Sequence, residues 1–115
     1  MDRCIVLWTN ETRATIVSIA GGAEEVLHLD AGAAGLAGGK AGNALRAHCR
    51  NVVRAIADAQ SIFIFGTARA RLELRIQMRK TAALRDRVVG TELKDSMTDA
   101  DLMARAREIC GLNGG

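Results

Sequence analysis

Three arginines, Arg46, Arg50 and Arg54, recur at every fourth residue, which on a helix aligns their guanidinium groups along one face. Such a planar, permanently charged stripe suits phosphate oxygens. Lys40, Arg69 and Arg71 extend the series. The stretch from Lys40 to Arg87 holds eleven basic residues against only Asp58, Glu73 and Asp86, a surplus of eight positive charges. The rest of the chain carries an excess of five negative charges, so the formal net charge of +3 conceals an asymmetry. Thirteen of the sixteen cations are arginine. Such a field can attract a polyanion such as a structured RNA. With no tyrosine and 3% aromatic residues, few rings are available for base stacking, which speaks against sequence-specific recognition of single strands. The competing reading is a set of solvated helix faces that only keep the protein in solution.

Other reactive side chains offer less. Cys4, Cys49 and Cys110 form an odd set without a CxxC pair, so neither a disulfide framework nor a zinc ribbon is indicated, and three reduced thiols are expected. Cys49 and Cys110 fall on apolar helix faces as small buried hydrophobes. His28 and His48 lack metal-ligand spacing, and no metal or other cofactor is expected. His48 and Cys49 are neighbours in sequence, but adjacent helical positions project about 100° apart and cannot act as a nucleophile and base pair. The apolar runs from Cys4 to Thr9 and from Ser61 to Phe65 contain no Asp or Glu, which removes the carboxylates a two-metal nuclease needs.

The elements that position these residues can be read along the chain. Cys4 to Thr9 and Ala14 to Ala20 form a hairpin across Thr9-Asn10-Glu11-Thr12, and Glu25 to Leu29 adds a third antiparallel strand with His28 facing outward. Residues 30 to 42 contain five glycines and read as a flexible loop. Asn43 is expected to cap the basic helix, in which Leu45, Cys49, Val52 and Ile56 form the apolar face. Ser61 to Phe65 reads as a strand covered on both faces. Ala70 to Arg79 fits either period, with Leu72, Leu74, Ile76 and Met78 alternating and Ala70, Leu74 and Met78 spaced by four. Helix is preferred, because a strand from Arg87 to Leu93 needs a crossover to lie parallel to its predecessor. Thr98-Asp99-Ala100-Asp101 starts a last helix, expected to end at Cys110 or Gly111. The expected fold is a single α/β domain spanning residues 1 to 115, with a ribonuclease H-like mixed sheet in the order β-β-β-α-β-α-β-α and helices packed on the sheet. No apolar run reaches the roughly 18 residues of a membrane span, and no secretion signal is apparent, so a cytoplasmic location is expected.

The segments Ile62-Phe63-Ile64-Phe65-Gly66, Ala70-Arg71, Glu73-Leu74, Arg87-Val88-Val89-Gly90-Thr91-Glu92, Asp95, Thr98-Asp99 and Ala104-Arg105 resemble, in order and spacing, the middle domain of archaeal and eukaryotic peptide-chain release factors and Pelota. They do so through small bacterial relatives called translational machinery proteins. The hairpin from Ile5 to Ile19 is similar to the opening of those relatives. Where they continue the glycine turn with proline, glycine and lysine, this chain has Thr67, Ala68 and Arg71. The resemblance implies a role in translation, with Arg69 or Arg71 near a phosphate at the Gly66 turn. It also places Gly38, Gly39 and Lys40 where full-length release factors carry two glycines and the glutamine that supports peptidyl-tRNA hydrolysis. Lysine supplies charge but cannot orient water as a carboxamide does, so no catalysis is expected. The expectation is a non-enzymatic protein that contacts ribosomal RNA or tRNA through Lys40, Arg46, Arg50, Arg54, Arg69 and Arg71. Its rival is a protein-interaction module or homodimer without nucleic-acid binding, built on an edge strand.

Overall fold

The computed structural model describes residues 2–31 and 41–114. Five strands, β1 (Arg3–Thr9), β2 (Arg13–Ala20), β3 (Ala23–Asp30), β4 (Ser61–Gly66) and β5 (Val88–Leu93), form one sheet in the order β3-β2-β1-β4-β5. Three helices, α1 (Ala41–Ala55), α2 (Ala68–Arg79) and α3 (Asp99–Gly114), and a single 3-10 turn at Ala82–Leu84 complete the described elements. β1 pairs antiparallel with β2 and parallel with β4, and β4 pairs parallel with β5. This is the mixed, ribonuclease H-like arrangement expected from the sequence. The 68–79 segment is helical, because the parallel β4–β5 pair requires a crossover between its strands.

β1 lies at the centre of the sheet, which explains its unbroken apolar run. Ile5 and Leu7 face α1 and α2, where they join Ile16, Leu45, Cys49, Val52, Ile56, Ile62, Ile64, Leu74 and Met78 in one core. Val6 and Trp8 face the other way and pack with Val17, Phe65, Leu102, Ala106 and Cys110 beneath α3. The sheet therefore separates two apolar layers, with the basic helices on one side and the acidic-capped helix on the other.

Local chemistry sets the boundaries. Asn10 Oδ1 accepts from the backbone N–H groups of Thr12 (2.9 Å) and Arg13 (2.7 Å), closing the first hairpin turn. Thr98 Oγ1 accepts from the Asp101 N–H at 3.0 Å, the cap expected from the sequence. Two boundaries differ from expectation. Asn43 does not cap α1, because the helix already begins at Ala41 and Asn43 lies exposed in its first turn. α3 continues through Gly111 to Gly114 instead of stopping at Cys110 or Gly111. A Cβ at Gly111 would meet nothing within 4 Å, and the glycine keeps a helical conformation there.

The expectation of three reduced, unlinked thiols is corrected. Cys4 and Cys110 form a disulfide with a Cα–Cα distance of 5.8 Å, and Cys49 is the free cysteine. Cys4 projects from β1 to the same sheet face as Val6 and Trp8, directly beneath the apolar side of α3. The two sulfurs are 106 residues apart in sequence, so no spacing pattern could announce their meeting.

Candidate nucleic-acid interface

α1 presents Arg46, Arg50 and Arg54 to solvent because its opposite face, Leu45, His48, Cys49 and Val52, is buried against the sheet and α2. α2 lies alongside with Ala70, Leu74, Gln77 and Met78 turned inward. Where the two helices meet, Arg50, Val53, Arg54, Gln77, Lys80 and Thr81 line a shallow groove of about 220 Å³. The structure thus adds Lys80 to the α1 stripe, a neighbour the periodicity of α1 alone could not identify.

Among the described residues, none of the basic side chains between Arg46 and Arg87 forms an ion pair with a carboxylate. Ion pairs among the described residues include Arg3 with Asp58, His28 with Asp99, Arg105 with Glu108 and Arg107 with Glu24. Arg85 and Arg87 instead donate to the carbonyl oxygens of Arg79 and Ala83. The basic face is therefore not neutralised from within, whereas the α3 side of the sheet is laced by pairs such as Arg107 with Glu24 at 2.9 Å.

The Gly66 turn has a structural reason. A Cβ on Gly66 would lie 2.1 Å from the Thr9 carbonyl oxygen, so only glycine lets β4 pass β1 at this point. The helix that follows is capped by Thr67, whose hydroxyl accepts from the Ala70 N–H and donates to Glu11 Oε1. A carboxylate of the chain itself thus sits at the N-terminus of α2. Arg69 is exposed, while Arg71 turns toward β5 and donates from Nη1 to Thr91 Oγ1 at 2.8 Å. Its Nε is buried and has no partner. The structure does not bring Arg69 and Arg71 together with the α1 stripe in one groove. Gly38, Gly39 and Lys40, and most of the glycine-rich stretch from 30 to 42, lie outside the described residues.

His48 and Cys49 point apart. The Thr9 hydroxyl gives its proton to the Asn10 or Arg13 carbonyl oxygen, so it receives a proton from His48 Nε2 at 3.1 Å. Burial pushes the imidazole below its ordinary pKa, against the opposing influence of the Arg13 carbonyl and the Asp30 carboxylate. Cys49 Sγ faces the Ala70 carbonyl oxygen, and burial, with Glu73 nearby, pushes its thiol up to about 12. A thiol held that firmly protonated is no nucleophile. His28 is exposed as expected, and Nε2 lies 2.7 Å from Asp99 Oδ2 at the start of α3, a pairing that sequence reasoning missed. Among the described residues no cluster of three or more His, Cys, Asp or Glu could hold a metal ion, and no helix is long and apolar enough to cross a membrane.

No protein-family model matches the sequence, and no curated protein matches it. Solved structures do. The Thermoplasma acidophilum Pelota protein superposes with a TM-score of 0.66 over 97% of this chain, at 15% identity. The fold is Pelota-like. Archaeoglobus fulgidus Pelota gives a TM-score of 0.62 over 97% of the chain at 9% identity, and the archaeal translation termination factor aRF1 gives 0.56 over 90% at 12%. The chain spans about a third of each of these proteins, between 33% and 34% of their length. At these identities the likeness concerns the fold. In this Pelota-like sheet the basic helices α1 and α2 share one face, and the Gly66 turn leads from β4 into α2 beside the end of β1 at Thr9.

Proposed function

We propose that this chain is a translation-associated domain that binds ribosomal RNA or tRNA without catalysing a reaction, and that Arg46, Arg50 and Arg54, with Lys80 beside them, touch the phosphates. The observation that carries this reading is the basic face itself, whose guanidinium groups have no carboxylate partner among the described residues. An unneutralised row of arginines spaced by a helical turn favours a polyanion with regularly spaced phosphates. The Pelota-like fold supports a place in translation, since aRF1 is a termination factor. The segments from Ile62 to Arg105 further support kinship with the small bacterial translational machinery proteins. Lys40 stands where release factors carry glutamine, so the reading excludes peptidyl-tRNA hydrolysis.

Sedimentation with ribosomes across a salt series tests the binding. Changing Arg46, Arg50 and Arg54 together to glutamine should weaken it and flatten the slope of log affinity against log salt by roughly one for each phosphate the variant no longer neutralises. An unchanged slope and affinity would refute the stripe as the site. If the unaltered protein fails to sediment at any salt concentration, the interaction-module reading takes its place, for which β3 offers an edge strand with Val26 and Leu27 exposed. Release of labelled formyl-methionine from programmed ribosomes should stay at background, and release that disappears in Lys40→Ala would overturn the non-catalytic reading.

A further inference from the structure

Six large hydrophobic side chains are exposed among the described residues, and four of them lie on α2 and the edge strand β5. Leu72 (64% exposed) and Ile76 (38%) belong to α2, and Val89 and Leu93 (both 56%) belong to β5, the outermost strand beyond β4. Between these elements, Ala68, Arg71, Leu72, Arg75, Arg79 and Thr91 line an open groove of about 290 Å³. Arg71, Arg75 and Arg79 are spaced by four along α2, so their charges form a row parallel to the groove. None of them has a carboxylate partner among the described residues. Among the described residues β5 pairs on one side only, with β4, and its outer side presents an open ladder of backbone donors and acceptors.

An occupant must satisfy three demands at once: backbone groups that complete a ladder, apolar side chains, and negative charge. RNA meets only the last, because phosphates leave the four aliphatic groups in water and no aromatic ring is present here for bases to stack on. A second copy joined through the same edge would set one row of arginines against another. We propose that the β5 edge and the adjoining face of α2 bind an extended acidic peptide segment as an added sixth strand, with its carboxylates on Arg75 and Arg79 and its aliphatic side chains on Leu72 and Leu93. Main-chain hydrogen bonds supply affinity in this mode, and side chains on alternate positions supply specificity. Arg71, already tied to Thr91, sets the floor of the groove. The site is separate from the α1 stripe.

The probe is a fluorescein-labelled octapeptide, Ser-Glu-Ser-Val-Ser-Glu-Ser-Val, whose glutamates and valines share one face of an extended strand, titrated against the full chain and followed by anisotropy. Its binding should weaken at least tenfold in the double variant Arg75→Glu, Arg79→Glu, and independently in Leu72→Ser, whose side chain is exposed and not needed for the core. The same peptide N-methylated at alternate backbone nitrogens should lose binding along one edge. Equal binding of the methylated peptide would overturn strand addition, and binding indifferent to the double variant would overturn the charge pairing. If an oligouridylate binds here with loss in the double variant while the peptide does not bind, the groove belongs to RNA and the proposal fails. Concentration-dependent self-association abolished by Arg75→Glu, Arg79→Glu, with no peptide bound, would assign the edge to the acidic β3 of a second copy and equally overturn it.

Discussion

His48 shows how a residue that looks reactive in sequence becomes structural. It reaches across from α1 to the first hairpin, where the Thr9 hydroxyl accepts its Nε2 proton, and it is only 2% exposed. Its folded pKa lies below the ordinary value of 6.5, chiefly because burial penalises the charged ring. In the unfolded chain the ring takes up a proton near pH 6.5, whereas in the fold it does so only at lower pH, so the unfolded state binds more protons in that interval. The stability conferred by the neutral ring is complete above the unfolded pKa and is lost as the pH falls through and below it. The midpoint of urea unfolding should therefore drop from about pH 7.5 to about pH 5.5. With His28→Gln as the background, adding His48→Gln should remove most of that slope. A slope that survives both changes would place the titration on another group.

The turn between β4 and α2 shows how much an element can depend on one atom. Gly66→Ala would drive a methyl group into the Thr9 carbonyl oxygen, with backbone rather than a flexible side chain in the way. A loss of about 3 kcal/mol or more in unfolding free energy is expected. Gly22→Ala is the control. That hairpin glycine has φ +83° and nothing within 4 Å of the added Cβ, so only the left-handed backbone is penalised, by about 1 kcal/mol. Urea titration of the two variants should separate them clearly, and equal losses would refute the clash. At this scale the sequence was most legible. Unbroken apolar runs marked β1 and β4, the Thr98 cap marked the start of α3, and the topological need for a crossover settled the ambiguous stretch of α2. What was hidden depended on residues distant in sequence: Lys80 beside Arg50, Arg71 on Thr91, Glu11 on Thr67 and His28 on Asp99. The spacing of arginines on α1 shows which way they face, but not which neighbouring helix completes the surface.

Across the molecule the sheet keeps two chemistries apart, a basic surface on α1 and α2 that has no carboxylate partner among the described residues and a layer of ion pairs around α3. The Cys4–Cys110 bond belongs wholly to the second side and fastens the central strand to the last helix. Closing a loop of this size restricts the unfolded chain by about 4 to 5 kcal/mol in the chain-entropy view. Reduction should therefore lower the melting temperature while free thiols rise from Cys49 alone to all three cysteines. An unchanged melting temperature after that rise in thiols would show that α3 is held by packing alone. The same bond gives the molecule an unusual response to force. Between Cys4 and Cys110 the polypeptide is a ring, so a motor that reels in protein from a free end must either pass two strands abreast or stall. Held in an optical trap by handles outside the ring, the protein would lengthen only in its tails. Adding a reductant would then release about 360 Å of hidden contour in a single step.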